Sequence, residues 1–345
     1  MTATWAKERW KSAKWREDGH AGASPRWLAR GILACAVAGG ALLSGAATSV
    51  WAQDPTDPGA IVCAVPAVAA VTTESETPEA DAPARSPAAS PQTSPIASPD
   101  AGRVADPATA AQVESVIRTL AACLTQGQPE VVADLVTERY LGQMYGGSDR
   151  MRRDEYLALA PTLPTIPVLI EEIGQVRLDG ERRATVEVVS LFGSQLQRGE
   201  WQLVRGAGES PWRVDRVTPL EVEPPRGSSR IRVRLDEHSF SLNTRRVEGP
   251  NVVLSGTNRG EEDHEMLVLR LEQGISTDVL LTNPGPNFPN GVTFIGQVTV
   301  PAGESADLVL VDLQPGSYAL VCLLPDEDGV PHLSLGMRTR FNVTR

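Results

Sequence analysis

Two hydrophobic periods follow one another along the second two-thirds of the chain. Between Ala108 and Thr125, Val113, Val116, Ile117, Leu120, Cys123 and Leu124 recur at intervals of three and four, which predicts an amphipathic helix. Asp106-Pro107 supplies a cap and a first-turn proline, and Gln126-Gly127 stops the helix. A second helix is expected from Pro129 to about Tyr140, with Val131, Val132, Leu135 and Val136 on one face. A short third one is expected from Asp154 to Ala160, closed by Pro161. The period then falls to two: Ile166 to Leu178, Arg183 to Leu191, Gly199 to Arg205 and Trp212 to Val217 read as four strands, joined by turns such as Asp179-Gly180.

From Ile231 onward the pattern is all short runs: IRVRL, SFSL, NVVLSGTN, HEMLVLRL, DVLL, GQVTV, ADLVLVDL, SYALVC and TRFNV. Turn residues separate them, which predicts an all-β sandwich or barrel with Greek-key connections. The longest interruption, residues 283–291, is rich in Pro, Gly and Asn and reads as a loop.

Upstream of residue 108 neither period is present. Residues 66–107 are dominated by Pro, Ala, Ser and Thr and carry too little apolar surface to offset chain entropy, so residues 53–104 read as a disordered linker. Before it lies a basic N-terminus, then an uncharged run from Gly31 to Val50 that ends in Val50-Trp51-Ala52. Residues 1–52 therefore read as an export signal, with a retained membrane anchor as the alternative. Either reading places the rest of the chain outside the cytoplasm, secreted or in the cell envelope. The organisation expected is thus two folded units, 105–222 and 228–345, held on a tether.

Composition narrows the function classes. The net charge of −11 argues against nucleic acid as a partner, and against a membrane surface unless the signal is retained as an anchor. Four histidines occur in the chain: His20, His238, His264 and His332. The unit 105–222 has none, so acid–base chemistry there would fall to Asp134, Tyr140, Tyr145, Asp154 and Tyr156, each of which is as readily a surface acid or a half-buried aromatic. The second unit holds a softer set. His264 opens the apolar run HEMLVLRL, Cys322 ends SYALVC, and His332 and Met337 follow at short intervals. Two imidazoles and a thiolate with a weak thioether are the donors of mononuclear copper electron-transfer centres. Taken singly, His264 reads as a surface residue, Cys322 as a small buried hydrophobe and Met337 as core.

Their order along the chain carries a resemblance. Asn258-x-Gly260 before His264-Glu265-Met266, then Leu313-x-Pro315-Gly316-x-Tyr318 before Cys322, then Pro325, His332, Gly336-Met337 and Phe341-x-Val343 resemble a cupredoxin, the plastocyanin-like blue copper domain. The resemblance implies an all-β Greek-key sandwich of cupredoxin type, with His264, Cys322 and His332 as equatorial ligands and Met337 as axial ligand of one type 1-like copper ion. It further implies one-electron transfer or copper carriage with a redox or copper-exchange protein partner, and no turnover of its own. The chain departs from the simplest cupredoxin loops in the insert LLPDEDGVP between Cys322 and His332. There Asp326, Glu327 and Asp328 would place negative charge at the metal mouth, or would form no more than a solvated turn at Asp328-Gly329. A metal-free cupredoxin-fold binding or assembly module is the alternative.

The stretches AACLTQGQPEVVADLVTERYL and GEWQLVRGAGESPWRVDRVTPL resemble the nuclear transport factor two-like superfamily. That implies an α+β cone, three helices packed on a curved antiparallel sheet, in which an acid–base enzyme pocket is a third functional reading. With Cys322 given to copper, Cys63 and Cys123 are left as a possible disulfide.

Overall fold

In the computed structural model the described residues are Cys63 and 102–345, except 147–149, 209 and 283–286. The export signal and nearly all of the linker fall outside them. Helix α1 (Pro107–Gln126) starts as its cap dictates: the Asp106 carboxylate accepts from Thr109 N at 2.9 Å, and Gly127 ends it in the left-handed conformation at φ 63°. Val113, Val116, Ile117, Leu120 and Cys123 are its buried stripe.

The second expected helix does not run through. It breaks into α2 (Pro129–Leu135) and α3 (Glu138–Leu141), followed by a π-turn at Gly142–Gly146. At the break Val136 is extended, Thr137 N donates to Val214 O at 2.9 Å, and the Thr137 hydroxyl donates to Asp215 at 2.8 Å. Tertiary capture of two β-branched residues thus overrides helical period. Helix α4 (Arg153–Leu159) is the short third helix.

Strands β1 (Arg103–Val104), β2 (Val168–Ile173), β3 (Arg177–Asp179), β4 (Arg183–Phe192), β5 (Gln195–Val204) and β6 (Arg213–Leu220) complete the first half. Two expectations are corrected here. Residues 103 and 104, read as linker, form an edge strand on β3. The single strand expected over 166–178 is two strands, both paired with β4 and separated where Gly174 N donates to Glu187 O at 2.9 Å. The helices cover one face of this sheet, and a core of Val113, Ile117, Leu120, Leu135, Val186, Leu203 and Val214 lies between. Cys63 is bonded to Cys123 of α1 (S–S 2.09 Å), tying the chain before residue 102 to this core.

The second half is a two-layer all-β sandwich. Its strands are β7 (Ser229–Asp236), β8 (Ser239–Leu242), β9 (Arg246–Glu248), β10 (Val252–Asn258), β11 (His264–Leu271), β12 (Val292–Val300), β13 (Ser305–Leu310), β14 (Gly316–Val321) and β15 (Arg338–Thr344). One layer runs β13-β10-β7-β8 and the other β12-β11-β14-β15-β9, with β7/β10 and β9/β15 parallel. Between the layers lie Ile231, Leu254, Met266, Leu308, Tyr318 and Phe341. The run DVLL, expected as a strand, is a 3-10 turn (Thr277–Leu280) begun by the Ser276 hydroxyl accepting from Asp278 N.

The two halves share a sheet. Leu310 of β13 pairs with Gln195 of β5, Ser194 N donates to Ile295 O at 2.8 Å, and Val311 N donates to Ser194 O at 2.9 Å. On the outer face of the second layer, Leu267, Leu269, Leu271, Ala319 and Val321 meet Ile166 and Phe192 from the first half, and Phe192 packs edge-on against Phe294 at 5.1 Å. This explains a feature of HEMLVLRL: a strand covered on both faces needs no polar alternation, and seven of its eight residues are buried.

Candidate metal centre

The site is built at the end of the sandwich where β10 turns into β11 and β14 turns into β15. His264 is the first residue of β11, paired with Val300 of β12. Cys322 directly follows β14. His332 and Met337 lie on the connection to β15, whose backbone is interlocked with the strand ends. Cys322 N donates to Met337 O at 3.2 Å, Leu333 N to Cys322 O at 2.8 Å, His332 N to Leu324 O at 2.9 Å and Met337 N to His332 O at 2.9 Å. Gly336, at φ 107°, makes the last bend that a side chain would resist.

Asn258 fixes the other wall. Its side chain is fully buried; Nδ2 donates to Glu262 O and Val300 O at 2.8 Å each, and Oδ1 accepts from Gly260 N at 2.9 Å. That is the physical content of Asn258-x-Gly260: one amide side chain satisfies three backbone groups and sets the loop that leads into His264.

Three of the four residues converge on one point by their side chains. The donor atoms of His264, Cys322 and His332 all lie within 4.8 Å of one another. The two Nδ1 atoms are 3.1 Å apart, and Cys322 Sγ is 3.4 Å from His332 Nδ1. Two nitrogens placed ~2.0 Å from a common ion at trigonal angles would be about 3.5 Å apart, so the observed 3.1 Å spacing would fit an ion after adjustments of a few tenths of an ångström. Met337 is fully buried beside this cluster in sequence and joined to it through its backbone. All four site side chains are at most 1% exposed.

Burial sets the protonation of the metal-free site. It pushes the Cys322 thiol up, and the neighbouring Glu265 carboxyl adds to that shift. It holds His264 below the usual imidazole range, helped by the proximity of His332, and lowers His332 against the opposing pull of Glu262. Glu265 itself, 1% exposed, is pushed up to about 8 by burial, even though its carboxyl accepts from Leu323 N at 2.6 Å. The resting cluster is therefore a neutral one, two imidazoles and a thiol. A cation entering it supplies the charge that displaces the thiol proton. Glu265 N donates to Cys322 Sγ at 3.4 Å, a contact that strengthens when the sulfur becomes a thiolate.

The insert between Cys322 and His332 is a small hairpin. Pro325 and Pro331 form a bridge, Asp326 N donates to Val330 O at 2.9 Å, and Asp326 Oδ1 accepts from Asp328 N and Val330 N. Gly329 makes the turn at φ 80°. The extra length thus folds on itself, and Asp326 still acts on His332 through its charge.

The acid–base candidates of the first half do not assemble in this way. Asp134 pairs with Arg153 and Asp154 with Arg152, all half or more exposed, while Tyr140, Tyr145 and Tyr156 are buried in the core beneath the helices.

Two residues that sequence reasoning leaves aside also reach the site. Glu262 Oε2 lies 3.0 Å from His332 Nε2, and the His238 and His332 rings meet edge-on at 5.1 Å.

No family model matches the chain, and no curated protein matches it. Solved structures do. Reduced auracyanin from Roseiflexus castenholzii is 15% identical, covering 34% of this chain and 98% of its own, with a TM-score of 0.25. Auracyanin A, a blue copper protein from Chloroflexus aurantiacus, is 14% identical over 34% of this chain and 100% of its own, with a TM-score of 0.26. A multicopper oxidase from Campylobacter jejuni is 11% identical over 52% of this chain and 50% of its own, with a TM-score of 0.22.

Proposed function

We propose that the protein binds one copper ion through His264, Cys322 and His332, with Met337 as a weak axial donor, and serves one-electron transfer outside the cytoplasm. One observation carries the reading: a thiol and two imidazole Nδ1 atoms meet within 4.8 Å in a buried cluster. That donor set is accepted by both copper oxidation states, because the thiolate favours Cu(I) and the imidazoles accommodate Cu(II).

This chain's own residues supply the rigidity. Asn258 pins the loop ahead of His264, and the backbone bonds among Cys322, Leu324, His332 and Met337 hold three donors in one register. Burial excludes water from the cluster, so donor positions change little when charge changes, as a one-electron centre requires. The continuous sheet joining both halves supports the reading of the first half as a rigid presenter of this domain, exported on a linker.

Cu(II) added to the metal-free protein is expected to give an intense visible thiolate-to-copper absorption at one equivalent, and Cys322→Ser is expected to abolish it. Colourless copper-loaded protein, with unchanged affinity in Cys322→Ser, would sink the reading and leave a metal-free binding module in its place.

A further inference from the structure

His332 has two nitrogens, and they face different neighbours. Nδ1 points to Cys322 and His264, whereas Nε2 lies 3.0 Å from Glu262 Oε2. The donor atoms of His238, Glu262 and His332 again lie within 4.8 Å of one another. Among the described residues, His238 Nε2 is buried without a hydrogen-bond partner, and Glu262 Oε2 and His332 Nε2 are buried with no partner but the ion-pair contact of 3.0 Å that they make with each other. Buried polar atoms that lack well-made hydrogen bonds carry a cost, and here one donor atom from each of three such side chains lies close to the others.

The three residues come from separate elements held together independently of any ion. His238 sits in the tight β7–β8 turn with φ 57°, a left-handed conformation that histidine tolerates better than most residues. The preceding residue, Glu237, accepts from Glu261 N through its carboxylate, so the turn carrying His238 is clamped to the loop carrying Glu262. Asn258 holds the same loop by accepting from Gly260 N and donating to Glu262 O. His332 is 1% exposed and the Glu262 side chain 34% exposed, so the cluster lies just beneath the surface.

We propose that His238, Glu262 and His332 Nε2 form a second, outer cation site for a divalent ion of zinc type. Two imidazoles and one carboxylate are a borderline donor set that suits Zn(II) and leaves a fourth position for water. The site lies outside the thiolate cluster and does not require copper there. The sharing of His332 has a consequence: a neutral imidazole offers one lone pair. A cation on Nε2 leaves the ring proton on Nδ1 and so competes with an ion on the inner face, a coupling that is reciprocal.

The test removes the inner thiolate. Cys322→Ala protein is dialysed against Zn2+ and its bound zinc is counted, and the measurement is repeated with His238→Ala or Glu262→Gln added. Cys322→Ser replaces Cys322→Ala as the background if the latter does not fold. The expected result is one equivalent bound in the background protein, and affinity lowered at least about tenfold by either added change. Zinc binding that ignores both His238→Ala and Glu262→Gln overturns the proposal, as does no zinc binding in the Cys322→Ala background. Neither outcome bears on the visible absorption of copper-loaded wild-type protein, so the two readings fail separately.

Discussion

Replacing Glu265 by glutamine in the metal-free protein should change how stability depends on pH. Glu265 is 1% exposed, and burial pushes its carboxyl from 4.5 up to about 8. In the unfolded chain the same group ionises near its ordinary value. Between the two pKa values the unfolded state has lost a proton that the native state keeps, so unfolding becomes easier as pH rises. Stability should fall by about 1.4 kcal/mol per pH unit over that window, or roughly 4 kcal/mol from pH 5 to pH 8. Glutamine keeps an acceptor for Leu323 N and cannot ionise, so it removes this term alone. His264 and His332 are lowered and act with the opposite sign below their ordinary range, but they are common to both proteins and cancel in the difference. The assay is urea unfolding of both proteins at half-unit pH steps. E265Q should gain on wild type steadily from pH 5 to pH 8. A difference curve that is flat across that range would refute the burial argument and show that Glu265 ionises in contact with water.

Three further perturbations probe the scaffold. Asn258→Ala leaves Gly260 N, Glu262 O and Val300 O without their buried partner, and should cost about 2–4 kcal/mol in urea unfolding together with weaker copper retention in a chelator competition. Reduction of the Cys63–Cys123 bond, which spans 60 residues, should lower stability by about 4 kcal/mol by the loop-entropy relation, seen as a lower melting midpoint with dithiothreitol that a Cys63→Ser variant reproduces without it. Gly193→Ala should destabilise by roughly 1–3 kcal/mol. The position has φ 65°, and a Cβ there would come within 2.8 Å of Ile295 O; proteolysis of the variant should report cleavage between the halves before either core is lost.

Much of the architecture is legible in period alone, because the buried stripes of α1 and of the sandwich strands are set by side-chain spacing. The misreadings have tertiary causes. Val136 and Thr137 continue a helical pattern, yet β6 captures their backbone and ends the helix. The run DVLL (278–281) looks like a strand, yet Thr277–Leu280 folds as a 3-10 turn, because the Ser276 hydroxyl caps it and Leu280 fills the outer core. Gln195 to Arg198 carry no apolar alternation, so the pattern starts this strand only at Gly199; the early start of β5 pairs it with β13 across the seam. No local pattern encodes a contact between residues more than a hundred positions apart.

The metal centre divides along the same line. The convergence of His264, Cys322 and His332 is legible because each stands next to a strand end or on the loop between two, and chain order does the rest. His238 and Glu262 are not. His238 enters the site only because a two-residue turn holds it at φ 57°, and Glu262 only because Asn258 and Glu237 fold its loop back over the cluster. Both effects depend on side chains bonding to backbone across a gap that the sequence does not close. The proposed inner donors are thus set by strand topology and the proposed outer ones by loop chemistry. It follows that Glu237→Ala, which removes the clamp without touching a donor atom, should weaken zinc at the outer site and leave the copper–thiolate absorption of the inner site in place. Equal loss at both would mean that the two clusters are one structural unit.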